Sequence, residues 1–142
     1  MHEEAPAFST LVPVYEVAAS GGAVVEAEEQ SHSLAFPPAY LSKLTSSSPK
    51  NLSIISVKGD SMEKTLLDDD IVLLDRSKTH LGYDGLFVLR HNDTLHVKRV
   101  ALSPKPGHVT IISDNRDIYP AYEARIEDLE VIGKVLWYGR KV

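Results

Sequence analysis

The run Val57-Lys58-Gly59-Asp60-Ser61-Met62, with Lys98 following at the end of a hairpin pattern, holds the two residue types of a serine nucleophile and a lysine base. A serine hydroxyl attacks poorly until a neighbouring group takes its proton, and a lysine takes that proton only where its surroundings keep the amine neutral. Ser-Lys pairs are one recurring solution to this requirement. Ser61 and Lys98 lie 37 positions apart, so only the fold can bring them together. Ser61 sits at a Gly-Asp-Ser turn directly after the apolar strand pattern of residues 52–57, and Lys98 lies inside the strand pattern of residues 94–100. Between Val97 and Val100, the Lys98 stem is expected to pack on apolar surface with its amine partly desolvated, which lowers the pKa.

Each residue also has a purely structural reading. Ser61 precedes Met62-Glu63-Lys64 as a helix N-cap would, and Asp60 could cap equally well. Lys98 reads alternatively as a strand lysine whose amine reaches water. If the serine is a nucleophile, the backbone N–H groups of Ser61 and Met62 are the candidate donors to the developing oxyanion. His96, two residues before Lys98 on the same strand face, is a candidate base, with His91 and His108 further ones, but no carboxylate partner can be assigned to any of them. The six histidines lack metal-type spacing, so neither a metal nor a cofactor is expected. Asp68-Asp69-Asp70 lacks the alternating spacing of a calcium loop and reads as a solvated turn before a strand. Asp114, Asn115 and Asp117 read as turn residues. Trp137 and Tyr138 fit either a core or a dimer contact.

The elements that must position Ser61 and Lys98 are mostly strands. A chain of 142 residues, 43% of them hydrophobic, forms one domain with a real core. No apolar stretch approaches the roughly 18 residues that span a bilayer, and residues 1–12 lack the regions of a secretory signal, so a soluble, cytoplasmic protein is expected. The absence of cysteine excludes disulfides, thiol catalysis and cysteine-ligated zinc. A net charge of −5 argues against a general nucleic-acid surface, which needs clustered Lys and Arg.

Strand patterns occupy residues 11–17, 52–57, 71–75, 86–90, 94–100, 108–113 and 130–138. Pro13 suggests an edge or a strand start. Residues 18–23 are small and flexible and continue into the acidic run Glu26-Ala27-Glu28-Glu29, an accessible loop. Pro37 and Pro38 open a short helix that ends by the serine cluster 46–48. Helical turns are expected at residues 62–67 and 126–129, and His91-Asn92-Asp93 turns a hairpin without an Asn-Gly or Asp-Gly pair. Seven or so short strands predict a mostly β, partly closed barrel of short strands with one or two short helices.

The order of these parts resembles the C-terminal domain of LexA-type and phage-type (CI-like) self-cleaving repressors, with relatives in the UmuD polymerase-accessory proteins and, more distantly, bacterial signal peptidases. The resemblance spans roughly residues 11–140. It is carried by Gly59-Asp60-Ser61-Met62, Leu66, Asp70-Ile71-Val72, His96-Val97-Lys98-Arg99-Val100, Ser113-Asp114-Asn115, Tyr119-Pro120 and Ile132-Gly133-Lys134-Val135. It implies Ser61 as nucleophile and Lys98 as general base. It also implies a self-cleavage loop after the first strand, with the scissile bond at Gly21-Gly22 or, second, at Ser20-Gly21. The alanine that usually precedes the glycine is missing. Glycine satisfies the need for a small residue but adds flexibility that disfavours a fixed bound pose, so slow cleavage is expected. Lys64 stands where the family often has proline, and Asp69 where glycine is common.

The organisation implied is an N-terminal tail, first strand and cleavage loop over residues 1–23, then a Ser-Lys peptidase-like dimerisation domain over residues 24–142. The resemblance further implies a homodimeric repressor domain, triggered by RecA filaments and reaching DNA through a helix-turn-helix domain for which residues 1–10 leave no room. The chain therefore reads as an isolated C-terminal piece, with Met1 not the native start. Two alternatives remain open. One is an inactive dimerisation module controlled by an antirepressor protein, and the other is a UmuD-like polymerase-accessory protein.

Overall fold

The structure, a computed structural model, describes residues 9–15, 30–91 and 93–142. Among the described residues there are nine strands, most of them from alternating or continuous apolar runs: β1 (Thr10–Tyr15), β2 (Gln30–Phe36), β3 (Leu52–Ser56), β4 (Ile71–Asp75), β5 (Gly85–His91), β6 (Thr94–Leu102), β7 (His108–Ile112), β8 (Tyr122–Arg125) and β9 (Glu130–Gly139). They form one sheet in the order β2-β1-β3-β4-β9-β5-β6-β7-β8. The expected mostly β architecture is present, and the sheet is not closed: its two ends, β2 and β8, are not joined to each other.

The single α-helix among the described residues, α1 (Pro38–Leu44), begins where Pro37 and Pro38 set helical entry and buries Leu41. Residues 62–67 form no assigned helix, although Leu66 N–H donates to the Met62 carbonyl at 2.9 Å and so closes one turn. The second expected turn is a 3-10 turn over Ile126–Asp128.

β1 is not an edge strand, contrary to the expectation from Pro13. It pairs antiparallel with β2 along its length and parallel with β3, but the latter pairing is confined to Val14 and Tyr15. Upstream of Val14 that side of the strand has no ladder to interrupt, which accommodates a residue without an N–H.

Three apolar clusters support the sheet. Ile55, Val57, Met62, Leu66, Val72, Leu74, Val88 and Val97 form the one beneath the Ser61 turn. A second joins β1, β2, α1, β3 and Leu73 of β4, and there Trp137 meets Phe36 edge to face at 5.4 Å. Trp137 therefore packs against the core, whereas Tyr138 is exposed beneath the Arg140 guanidinium. The third cluster centres on Phe87, Val100 and Ile111. Gly133 is required where β9 crosses β4, because a Cβ there would lie 2.5 Å from the Asp75 carbonyl oxygen.

Candidate active site

β3 delivers the chain to the Ser61 turn, and the turn is tied down from both sides. Val57 N–H donates to the Asp70 carbonyl at 2.7 Å and Asp69 N–H returns to the Val57 carbonyl at 2.8 Å, so residues 57–70 form a closed loop. Within it Gly59 takes φ +86°, a conformation that costs a residue without a Cβ little, and its N–H donates to Asp68 Oδ1 at 2.7 Å. Asp69 occupies the left-handed region at φ +73°, a conformation that glycine adopts with less strain. Met62 points into the core, 2% exposed, and thereby holds the neighbouring Ser61 Oγ at the surface of a cleft.

Lys98 reaches the same cleft from β6. Its neighbours Val97 and Val100 are buried, and Lys98 Nζ lies 2.9 Å from Ser61 Oγ, within a hydrogen bond. Burial pushes the Lys98 amine below its ordinary pKa, opposed by the nearby Asp114 carboxylate. A lysine so placed is close enough to the hydroxyl to take its proton and is biased toward the neutral form that can do so. Among the described residues the N–H groups of Ser61 and Met62 have no hydrogen-bond partner, which leaves them free to face an oxyanion.

The cleft has a volume of about 440 Å³. Its walls combine Leu89, Leu129, Pro120 and Tyr122 with the polar ends of Asp60 and His96. His96 shares the Lys98 face as expected, and burial, then the charges of Lys98 and His91, hold its imidazole below the ordinary histidine value. No hydrogen bond joins His96 to Ser61 among the described residues. His91 also lines the cleft, its ring 6.3 Å from that of His96, whereas His108 bonds the Pro106 carbonyl at the far end of β7.

Of the two acidic segments, one departs from its expected reading at Asp70, and the other is the expected turn with a further role. Asp70 does not belong to a solvated turn: it is buried, accepts Leu67 N–H at 2.8 Å and is held by Arg140 through two bonds of 2.8 Å. The Arg140 guanidinium keeps its carboxyl below the usual range. The segment after β7 is a turn, as expected, closed by Ile118 N–H and Tyr119 N–H on the Asn115 carbonyl, and it also braces the nucleophile turn. Asn115 N–H donates to the Ser61 carbonyl at 3.0 Å and Asn115 Nδ2 to the Asp60 carbonyl at 3.1 Å. Tyr119 donates its hydroxyl to Asp60 Oδ1 at 2.7 Å. Asp114 accepts Arg99 Nε at 2.9 Å, Arg99 Nη2 at 2.8 Å and the Thr65 hydroxyl at 2.5 Å. The one sequence signal for these roles was that Ser113-Asp114-Asn115 and Tyr119-Pro120 lie among the motifs of the resemblance.

The candidate cleavage residues Ser20, Gly21 and Gly22 lie outside the described residues, as does the rest of the loop between β1 and β2.

Comparison with known proteins follows the same lines. Over 89 residues, 61% of this chain and 37% of the relative, the sequence is 35% identical to the 26 kDa repressor protein of Escherichia phage HK022. It is 30% identical to Repressor protein CI of Enterobacteria phage phi80 over 125 residues, 87% of this chain and 52% of that protein. Identity with the HTH-type transcriptional regulator PrtR of Pseudomonas aeruginosa is 29% over 136 residues, 90% of this chain and 52% of the regulator. The chain thus spans about half the length, or less, of the curated relatives it matches. Residues 13–136, which hold the Ser61 turn, Lys98 and the bracing segment, match the Peptidase S24-like family, and the chain belongs to that family.

Proposed function

We propose that this chain is the regulatory C-terminal domain of a transcriptional repressor, and that Ser61 and Lys98 cut the chain at its own N-terminal loop. The observation that carries the reading is the 2.9 Å contact between Lys98 Nζ and Ser61 Oγ in an apolar cleft. The repressor and regulator names of the relatives support the same assignment. In this reading residues 1–23 carry the segment to be cut and residues 24–142 the peptidase-like domain.

The Gly21-Gly22 bond enters the cleft, with Ser20-Gly21 as the second choice. Neutral Lys98 takes the Ser61 proton as Oγ attacks the carbonyl carbon, and the N–H groups of Ser61 and Met62 receive the oxyanion. When the tetrahedral intermediate collapses, the C–N bond breaks and the Lys98 ammonium returns its proton to the departing amine. Water, activated by the again neutral Lys98, then hydrolyses the ester on Ser61. No metal or cofactor takes part. RecA filaments favour docking of the loop in the cytoplasm, and DNA is reached through a helix-turn-helix domain in the full-length repressor; an antirepressor protein is the partner in the alternative reading, in which the pair is inactive and no cut is made.

Because the base must be deprotonated, cleavage accelerates with pH and starts below the ordinary lysine range of about 10.4. Purified protein held at about pH 10 and followed by mass spectrometry is expected to yield two fragments meeting near residues 20–22, absent in Ser61→Ala and Lys98→Met. A chain that stays intact through prolonged alkaline incubation removes self-cleavage and leaves only an interaction domain.

A further inference from the structure

One residue holds the carbonyls of two consecutive peptide groups in the nucleophile turn. Asn115 N–H donates to the Ser61 carbonyl at 3.0 Å, and Asn115 Nδ2 donates to the Asp60 carbonyl at 3.1 Å. Both peptide groups are trans and close to planar, so in each the N–H points opposite to the carbonyl. The N–H opposite the Asp60 carbonyl is that of Ser61, and the N–H opposite the Ser61 carbonyl is that of Met62. Neither of these N–H groups has a hydrogen-bond partner among the described residues. Asp60 and Ser61 line the cleft, whereas Asn115 lines a separate recess beside Glu63 and Lys64.

We infer that Asn115 is a positioning residue that presets the oxyanion site: by holding the Asp60 and Ser61 carbonyls on its own side of the turn, it aims the N–H groups of Ser61 and Met62 at the cleft. The inference deepens the reading of Ser61 and Lys98 as the reacting pair and rests on it. Asn115 can anchor two peptide groups because it is itself anchored. Its carbonyl accepts Ile118 N–H at 3.3 Å and Tyr119 N–H at 3.0 Å, and the preceding Asp114 is bound to Arg99 of β6 and to Thr65. Asp114 N–H also meets Met62 Sδ at 3.4 Å, so the same two residues fix the side chain that follows the nucleophile. Glu63 N–H is a second donor to the Asp60 carbonyl, at 3.2 Å, but it belongs to the turn and moves with it. Donors aimed in advance need no reorganisation as charge develops on the substrate oxygen.

The two anchors separate under mutation, because one comes from the side chain and the other from the main chain. Asn115→Leu keeps the bulk and the main-chain N–H but removes Nδ2. It frees the Asp60 carbonyl, so the Ser61 N–H changes direction while the Met62 N–H keeps its own. The maximal cleavage rate at alkaline pH falls by up to about 100-fold, the loss that removal of one such donor brings. The pH midpoint of cleavage stays where it was, since the contact between the Lys98 and Ser61 side chains is untouched. Tyr119→Phe removes only the tie to the Asp60 carboxylate and leaves both N–H directions unchanged.

The directions are read without cleavage, from 15N–1H residual dipolar couplings of weakly aligned protein carrying Lys98→Met, which retains Ser61. Asn115→Leu is expected to change the Ser61 coupling and to leave those of Met62 and the strands as they were. A Ser61 coupling that does not change overturns the inference. So do Ser61 and Met62 couplings that move together, or an equal effect of Tyr119→Phe, since a merely structural brace predicts either. A cleavage midpoint that shifts along with the rate overturns it as well, because the loss then lies with Lys98. If Asn115→Leu does not fold, the scalar coupling across the hydrogen bond from Asn115 Nδ2 to the Asp60 carbonyl carbon decides: its presence sustains the anchor and its absence overturns it. The functional reading fails separately: a Ser61 N–H that turns in Asn115→Leu, in a protein that is never cut at any pH, sustains the alignment and removes the peptidase.

Discussion

Lys98 illustrates the conflict between stability and chemistry at a single side chain. Its amine is placed where burial disfavours charge, so at neutral pH the folded chain must carry a poorly solvated ammonium or release its proton. The folded pKa lies below the unfolded one, so between the two the unfolded chain binds more protons and stability rises with pH. Lys98→Met keeps the stem and removes the charge. In a Ser61→Ala background it is expected to stabilise the fold by about 1 kcal/mol at about pH 7, with the gap narrowing as pH climbs through the Lys98 midpoint. Urea unfolding at two pH values checks this, and a gap that widens on raising the pH would contradict the assigned burial. Residue types alone identified Ser61 and Lys98 as candidates and His96 as their neighbour. They did not identify Asp114, Asn115 and Tyr119 as the brace of the Ser61 turn. Asp114 meets Thr65 across 49 positions and Tyr119 meets Asp60 across 59, separations at which no local pattern operates.

Among the elements, strands with their own apolar pattern were legible: β3, β4, β5, β6, β7 and β9 all lie where the alternation or apolar run predicts them. The two strands that were missed, β2 and β8, are the two ends of the sheet. β8 is the four-residue sequence Tyr-Glu-Ala-Arg, and β2 begins with polar Gln30-Ser31-His32-Ser33. Such strands take their conformation from the ladder beside them, β1 for one and β7 for the other, more than from side-chain propensity. The loop of residues 57–70 was legible as a turn but not as a closed unit. Its closure depends on Asp70, buried and shared between Leu67 N–H and Arg140. Asp70→Ala leaves that N–H without its acceptor and is expected to cost about 2 kcal/mol in urea unfolding. Since the Asp70 pKa is depressed, its contribution is present above the unfolded carboxylate value and is lost as pH falls through the folded one. The destabilisation should therefore fade in acid, and a difference that persists unchanged there would place its origin elsewhere.

For the whole molecule, one sheet carries the nucleophile turn after β3, the lysine on β6 and the bracing segment after β7, with the apolar cluster of Met62, Leu66, Val72 and Val88 beneath the turn. The site is thus mounted on strands and a buried apolar cluster and not on an isolated loop. We propose that the chain self-associates, because a repressor that reads a palindromic operator gains from two-fold symmetry. Sedimentation across a concentration series is expected to show a monomer-dimer equilibrium, and a monomer at every concentration would exclude it. By itself the sequence determined the mostly β class, the position of α1, the glycine-led turn at Ser61 and the strand that bears Lys98, since each follows from side-chain alternation or backbone conformation within a few residues. Only the tertiary structure decided that Ser61 and Lys98 meet at 2.9 Å, that Asp70 is buried, and that Asp114 is held by Arg99 and Thr65. Those contacts depend on strand order and register, where a shift of one residue turns every side chain to the opposite face, and no local pattern encodes that choice.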